Sequence, residues 1–432
     1  MENKKLLLSY FLVAIIFLLS LVFIINIQLE YLGIFAKGSF EYTNQLPTFN
    51  SLENWQKFGM LKMGFALCEN ENLMSLMGDC KIFVSYPPFW LSIPYIIKNI
   101  FFLNIEYKVL TDLILIFYYF ISCLLIFLIF FTISKLLKIN HLSSVLISLL
   151  PFVHLYLNDF LLSNFIGLWV PEASEFLFII ILIYSRILLI KSKTNLKLLF
   201  YIFAIIINCL TSNIIYFIII FDLFFSYLMN DKFNLKTYFI IIFVLIICKI
   251  AHFITINPDQ SNGIENNIFE KVFIGLKLFF LRVQSLIYQK NSTGFDYNAI
   301  DIYNRIIMNK SIKLLISIFI IFSILRLFLS KNLFYSKTLV YTFIVPCFSF
   351  FLFALFADAH HVNHDFMLMR FLIISASFYA NFLLVLYLLI IKIPDQRKRG
   401  LAIYGFNVFV ILITIMITYK EINQINNFNF LI

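Results

Sequence analysis

Residues 109–134 read VLTDLILIFYYFISCLLIFLIFFTIS, an almost unbroken run of apolar side chains. A helix needs about 20 such residues to cross the hydrocarbon layer, so this stretch predicts a membrane-spanning helix. Similar stretches recur, with charges confined to the short intervals between them. The candidate spans are residues 5–28, 87–103, 109–134, 141–157, 172–190, 197–211, 213–230, 237–256, 311–330, 337–357, 366–391 and 402–419. We expect an all-α polytopic transmembrane helical bundle of about 11 to 12 spans, forming one integral membrane domain over residues 1–432.

The composition excludes a soluble protein of this length. Hydrophobic residues make up 62% of the chain and charged residues 13%, with 55 Phe and 23 Tyr. A soluble surface needs more charge than this. The apolar run Leu6–Ile27 exceeds the roughly 7 to 15 residues of a secretory signal, so we interpret it as a retained first span behind a cytoplasmic N-terminus.

The net charge of +10 lies mostly in short loops such as Lys135/Lys138 and Arg397–Arg399. This pattern is typical of the positive-inside rule and does not indicate nucleic-acid binding. With the basic loops in the cytoplasm, residues 29–86 and 257–310 become two large extracytoplasmic loops. An odd number of crossings must then separate the first loop from Lys135, so either 87–103 is re-entrant or one basic loop violates the rule.

Several local features are open to more than one interpretation. Residues 197–230 form one long helix or two short helices broken at Thr211-Ser212-Asn213. The mixed patterns of Ser51–Leu67 and Phe269–Tyr288 favour interfacial helices that lie on the bilayer. Cys68 and Cys80 share the first loop and can form a disulfide if that loop is extracytoplasmic, whereas the other four cysteines are expected only to pack.

Three acids of the first loop are candidate catalytic residues: Glu41, Glu53 and Asp79. Glu41 follows the first span by about a dozen residues and precedes the expected interfacial helix, which places a carboxylate near the membrane surface. Such a carboxylate can deprotonate an acceptor hydroxyl, orient the acceptor or hold a divalent cation.

Two further motifs open apolar spans. Tyr86, Pro87 and Pro88 end the first loop, and proline is tolerated in the first turn of a helix. Glu172 belongs to Pro171-Glu172-Ala173-Ser174-Glu175, where the helix dipole favours an acid whether or not it binds a substrate.

The densest cluster of polar residues precedes the span 366–391. It contains His360, His361, His364 and Asp365, with Arg370 about one turn inside the span. Imidazoles and a guanidinium suit a phosphate or pyrophosphate, and imidazoles with carboxylates suit a metal. The spacing matches no standard zinc motif, so the metal ligands are unknown, and a hydrated loop is the third interpretation.

Together these motifs resemble the GT-C superfamily of membrane glycosyltransferases, which includes protein O-mannosyltransferases, aminoarabinose transferases and bacterial enzymes that use polyprenyl-phosphate sugars. The resemblance lies in the acidic first loop and in the short motifs Tyr86-Pro87-Pro88-Phe89-Trp90-Leu91, Asn104-Ile105-Glu106-Tyr107-Lys108, Pro171-Glu172 and His360-His361-Val362-Asn363-His364-Asp365-Phe366.

The resemblance implies an inverting transferase in the bacterial inner membrane that acts at the periplasmic or outer face. The donor would be a polyprenyl-phosphate sugar, and the acceptor a cell-envelope glycan or lipid. Glu41 would serve the acceptor, and His364, Asp365 and Arg370 would lie near the donor phosphate. No cofactor is certain, and a divalent cation is left open.

Two other functions fit a chain with many spans. A polysaccharide polymerase of the O-antigen type also has a large external loop. A lipid flippase or transporter would instead use ionisable groups within the membrane. The candidates for that role are Lys249, Asp222 and Arg186, which we expect near span ends.

Overall fold

The computed structural model describes residues 40–60, 89–101, 104–158, 161, 165, 170–229, 235–255, 333–356 and 369–427. Regular structure in these ranges is helical throughout. The helices are α1 (Phe40–Phe58), α2 (Phe89–Ile100), α3 (Tyr107–Leu136), α4 (His141–Tyr156), α5 (Val170–Lys191), α6 (Asn195–Cys209), α7 (Ile215–Leu228), α8 (Leu235–Thr255), α9 (Leu333–Leu339), α10 (Val345–Phe356), α11 (Met369–Ile390) and α12 (Gln396–Asn427). A π-helical turn, Val340–Ile344, joins α9 to α10.

Four helices contain segments that are long and apolar enough to cross a bilayer. These segments are Val109–Leu136, Ala173–Lys191, Met369–Ile390 and Gln396–Ile422. The all-α class is therefore confirmed over the described residues, together with four candidate membrane helices. The expected spans 5–28 and 311–330, the interfacial helix 269–288 and the pair Cys68/Cys80 lie outside the described residues.

The predicted break between residues 197 and 230 is present. A turn at Thr211-Ser212-Asn213 separates α6 from α7, so the alternative of two short helices is correct. The Ser212 hydroxyl accepts a hydrogen bond from the Ile214 amide at 3.2 Å. Serine, threonine and asparagine side chains bond nearby backbone groups in this way and compete with helix continuation.

The short helix α2 bears on the question of crossings. It has 12 residues with Pro94 inside it, and 12 residues of α-helix rise only about 18 Å. The hydrocarbon layer is about 30 Å thick, so α2 alone is too short to span it. Its length favours the re-entrant alternative for residues 87–103.

Helix α1 differs from the interfacial helix expected at Ser51–Leu67. It begins at Phe40, so Glu41 lies in its first turn and does not precede the helix. Pro47 lies inside α1, where a proline normally ends or kinks a helix, and the sequence therefore favoured a later start. The helix ends at Gly59, whose φ of 91° is accessible without strain only to glycine.

Helix α5 lies at the centre of the bundle and α12 at its edge. The apolar window of Ala173–Lys191 is 78% buried, whereas that of Gln396–Ile422 is 11% buried. Around α5 pack α3 and α6, while α12 packs on α4 and α11. The exposed apolar side chains of α12 suit contact with lipid.

Hydrogen bonds between helices show which helix ends lie together. Asn140, which caps the start of α4, donates to the Tyr387 hydroxyl near the end of α11 at 2.9 Å. At the other end of α4, His154 bonds Ser375 of α11 at 2.8 Å. Helices α4 and α11 are thus antiparallel, and the basic connector at Lys138 lies beside the end of α11.

Labelling from one side of the membrane tests the role of α2. In a background with all six cysteines replaced by Ser, Lys57→Cys in α1 and Asn104→Cys between α2 and α3 should react with the same membrane-impermeant maleimide, because α2 is too short to cross. Lys392→Cys, after α11, serves as the opposite-side control. Labelling of Asn104→Cys only from the side of Lys392→Cys would show that the chain crosses between α1 and α3.

Candidate functional site

A buried ion pair joins the starts of two central helices. Arg370 donates from Nε to Oε1 of Glu175 and from Nη2 to Oε2, the latter at 3.0 Å. The Ser212 hydroxyl donates to the same Oε2, and the ring of Phe353 lies 4.8 Å from the guanidinium carbon. Glu175 is 1% and Arg370 4% exposed, so this bidentate pair is shielded from water. We call these four residues the Glu175 cluster.

The Glu175 cluster marks a common end of five helices. Glu175 lies in the second turn of α5 and Arg370 is the second residue of α11. Ser212 belongs to the turn between α6 and α7, and Phe353 lies one turn before the end of α10. The connectors that precede α5 and α11 therefore reach the bundle at the same place.

The cluster includes one residue of the predicted site and adds two. Arg370 was expected to lie near a donor phosphate, and the structure places it against Glu175. Glu175 was recognised only as an acid favoured by the helix dipole, and Ser212 only as a helix breaker. Glu172 lies one turn before Glu175 on α5, and its side chain is outside the described residues.

Most of the other predicted site residues cannot be placed against this cluster. Asp79, Tyr86, Pro87, Pro88, His360, His361, His364 and Asp365 lie outside the described residues, as does the side chain of Glu41. The described Glu53 is exposed on α1. The histidine segment leaves α10 after Phe356 and enters α11 at Met369, so its two ends flank the Glu175 cluster. Convergence of Glu41 with these histidines stays a prediction.

Polar and aromatic contacts hold α1 against the junction of α2 and α3. The rings of Trp55 and Tyr95 meet edge to face at 5.8 Å. Gln56 Oε1 accepts from the Tyr107 hydroxyl at 2.6 Å and from Asn99 Nδ2 at 3.3 Å. Burial raises the pKa of Tyr107, so its hydroxyl remains a neutral donor. The helix that carries Glu41 and Glu53 is therefore fixed to the bundle at its C-terminal end.

A second buried charge network lies further along α5. Arg186 donates from Nε to Asp222 at 3.0 Å and from Nη2 to Ser226 at 2.8 Å. Asp222 also accepts from the Tyr201 hydroxyl and, at 3.1 Å, from Ser226. Because the only proton of Ser226 is directed to Asp222, the hydroxyl of Tyr341, 2.8 Å from Ser226 Oγ, donates to it.

This second network is deeper in the bundle than the sequence indicated. Asp222 is in the middle of α7 and not near a span end. Arg186 is 11 residues beyond Glu175, which corresponds to about 16 Å along the helix. Tyr341 comes from the π-helical turn, a conformation that often occurs at functional positions.

His154 is packed and hydrogen-bonded between three helices. Its Nε2 bonds Ser375 of α11, and its ring meets that of Tyr379 at 4.9 Å. Its Nδ1 lies 3.8 Å from a carboxylate oxygen of Glu421 in α12. Among the described residues no three His, Cys, Asp or Glu side chains gather in the way a metal site requires.

A comparison with protein-family models and with curated proteins finds no match to this chain.

The Glu175–Arg370 pair should couple the stabilities of α5 and α11. Glu175→Leu or Arg370→Met alone leaves one buried charge without its partner and should lower the free energy of unfolding by about 3–5 kcal/mol. The double variant removes both charges and should recover at least half of that loss. The measurement is a detergent unfolding titration of the purified chain.

The exposed cation Lys392 provides the control, because Lys392→Met should change the free energy of unfolding by no more than about 0.5 kcal/mol. Additive losses in the double variant would show that Glu175 and Arg370 do not interact in the folded protein.

Proposed function

We propose that this chain is an inverting membrane glycosyltransferase that moves a sugar from a polyprenyl-phosphate donor to a cell-envelope glycan or lipid. The proposal rests on the resemblance to the GT-C superfamily. The observation that supports it most is the convergence of helix ends at the Glu175 cluster, where the connectors that contain Glu172 and the histidine segment meet the bundle.

The distribution of charge supports an outer-face location for this site. Helix α5 runs from the Glu175 cluster to Lys191, and α11 runs from Arg370 towards Lys392. Basic connectors therefore follow the opposite ends of both helices, and the positive-inside rule assigns those ends to the cytoplasm. The Glu175 cluster then faces the periplasm or exterior, where an envelope acceptor is available.

In the proposed reaction an acceptor hydroxyl attacks the anomeric carbon of the donor sugar. A new carbon–oxygen bond forms while the bond to phosphate breaks, and the electron pair leaves on the phosphate oxygen. The hydroxyl proton passes to the Glu41 carboxylate, with Glu53 and Asp79 as the alternative acceptors. Lipid phosphate is an anionic leaving group, so it needs cationic or hydrogen-bonding neighbours more than a proton.

The Glu175–Arg370 pair suits an orienting role in this scheme. Glu175 accepts from Nε and Nη2 of Arg370 and so fixes the plane of the guanidinium at the mouth of α11. The imidazoles of His360, His361 and His364 precede α11 and would supply further donors to the phosphate. Glu175 and Ser212 thus act as positioning residues.

Transport of a lipid-linked substrate is the second candidate function, and the Arg186–Asp222 pair favours it. Ionisable residues within membrane helices often lie on substrate or ion pathways. This pair is bonded to Tyr201 and Ser226 within the bundle, which equally suits a structural role. Substrate counterflow in proteoliposomes without sugar transfer would identify a transporter.

Glycan analysis tests the proposed site. Mass spectrometry of envelope glycans should show a sugar-bearing species that disappears in cells lacking the chain and returns with the wild type. Glu41→Gln and His364→Ala should each fail to restore it, because one removes the proposed base and the other a phosphate donor.

Glu106→Gln is the matched control, since Glu106 is exposed and its side chain does not cap α3. It should restore the glycan fully, with all variants present in the membrane at equal amounts. Full restoration by both Glu41→Gln and His364→Ala would refute the site, and unchanged glycans in cells lacking the chain would refute the transferase.

A further inference from the structure

Two cysteines on neighbouring helices are in contact. Cys209 is the last residue of α6, and Cys248 lies on α8. Their thiols are hydrogen-bonding partners, and both are buried, with exposures of 1% and 6%. The described thiols of Cys123 and Cys347 belong to α3 and α10. A sequence alone cannot distinguish such a pair from cysteines that only fill space.

An independent contact holds the same parts of the chain together. Lys249, next to Cys248, donates from Nζ to Asn213 Oδ1 at 2.8 Å. Its ammonium also lies 5.3 Å from the centre of the Tyr216 ring. Asn213 belongs to the turn that follows Cys209, so α8 is fixed to the end of α6 on both sides of the thiol pair. Disulfide formation needs Cβ atoms about 3.5–4.5 Å apart, which thiols in hydrogen-bonding contact reach with a small movement.

We propose that Cys209 and Cys248 are a redox modification site that forms a reversible disulfide. The oxidant is a small, membrane-permeant disulfide, since burial excludes bulky polar reagents. One cysteine thiolate attacks it, which forms a mixed disulfide and releases one thiol. The second cysteine then displaces the other half as a second thiol, so two cysteine protons are lost and one external disulfide is reduced to two thiols. The nearby Lys249 ammonium favours the thiolate that starts the reaction.

The disulfide would act on the Glu175 cluster through a short path. Cys209 precedes Ser212 by three residues, and Ser212 donates to Glu175. A covalent bond from the end of α6 to α8 would restrict the turn that positions this hydroxyl. This regulatory consequence rests on the proposed function, whereas formation of the disulfide does not.

Oxidation of the purified full-length chain tests the proposal. The protein, in lipid nanodiscs and carrying Cys68→Ser and Cys80→Ser, is treated with 2,2′-dithiodipyridine and digested without reduction. Mass spectrometry should find the peptides of Cys209 and Cys248 joined, with the loss of two hydrogens, and dithiothreitol should separate them. Cys123→Ser and Cys347→Ser should leave the link unchanged.

The single variants Cys209→Ser and Cys248→Ser should lose the link and instead carry one pyridyl-thio group on the remaining cysteine. Free thiols or pyridyl adducts at both positions in the folded parent protein would overturn the proposal. Envelope glycans, compared between oxidised and reduced cells, report separately on regulation. A link without any glycan change would refute regulation while leaving the modification site intact.

Discussion

A charge inside an apolar helix bundle is stable only when an opposite charge lies beside it. Helix α5 meets this constraint twice, at Glu175 and at Arg186. The partners come from different helices, Arg370 from α11 and Asp222 from α7. Because the two pairs are about 16 Å apart along one helix, together they fix both the rotation and the height of α5. The packing of the neighbouring helices follows from that placement.

The sequence predicted those features that the bilayer itself dictates. The apolar run 172–190 corresponds to Val170–Lys191, and 109–134 to Tyr107–Leu136, since length and hydropathy decide where such helices lie. The break at Thr211-Ser212-Asn213 was also visible, because these side chains bond the local backbone. The start of α1 was not, because its pattern lacks a clear apolar face and contains Pro47.

The pairing of distant residues could not be predicted in the same way. Glu175 and Arg370 are separated by 195 positions, and each has a sufficient local explanation, one as an acid at a helix start and the other as a cation at a loop mouth. Only packing of α5 against α11 brings them together. The candidate site was therefore predicted in its location, at the mouths of α5 and α11, but not in its contacts.

The turn between α6 and α7 connects the two parts of the bundle that matter most for function. Ser212 donates to Glu175, and a hydrogen bond to a charged group is worth about 1.5–3 kcal/mol. On the other side of the turn, Asn213 accepts from Lys249 of α8. A shift of this turn would cost the first bond and leave Glu175 held by Arg370. The orientation of Arg370 is thus coupled to the position of α8, although these two elements come from distant parts of the chain.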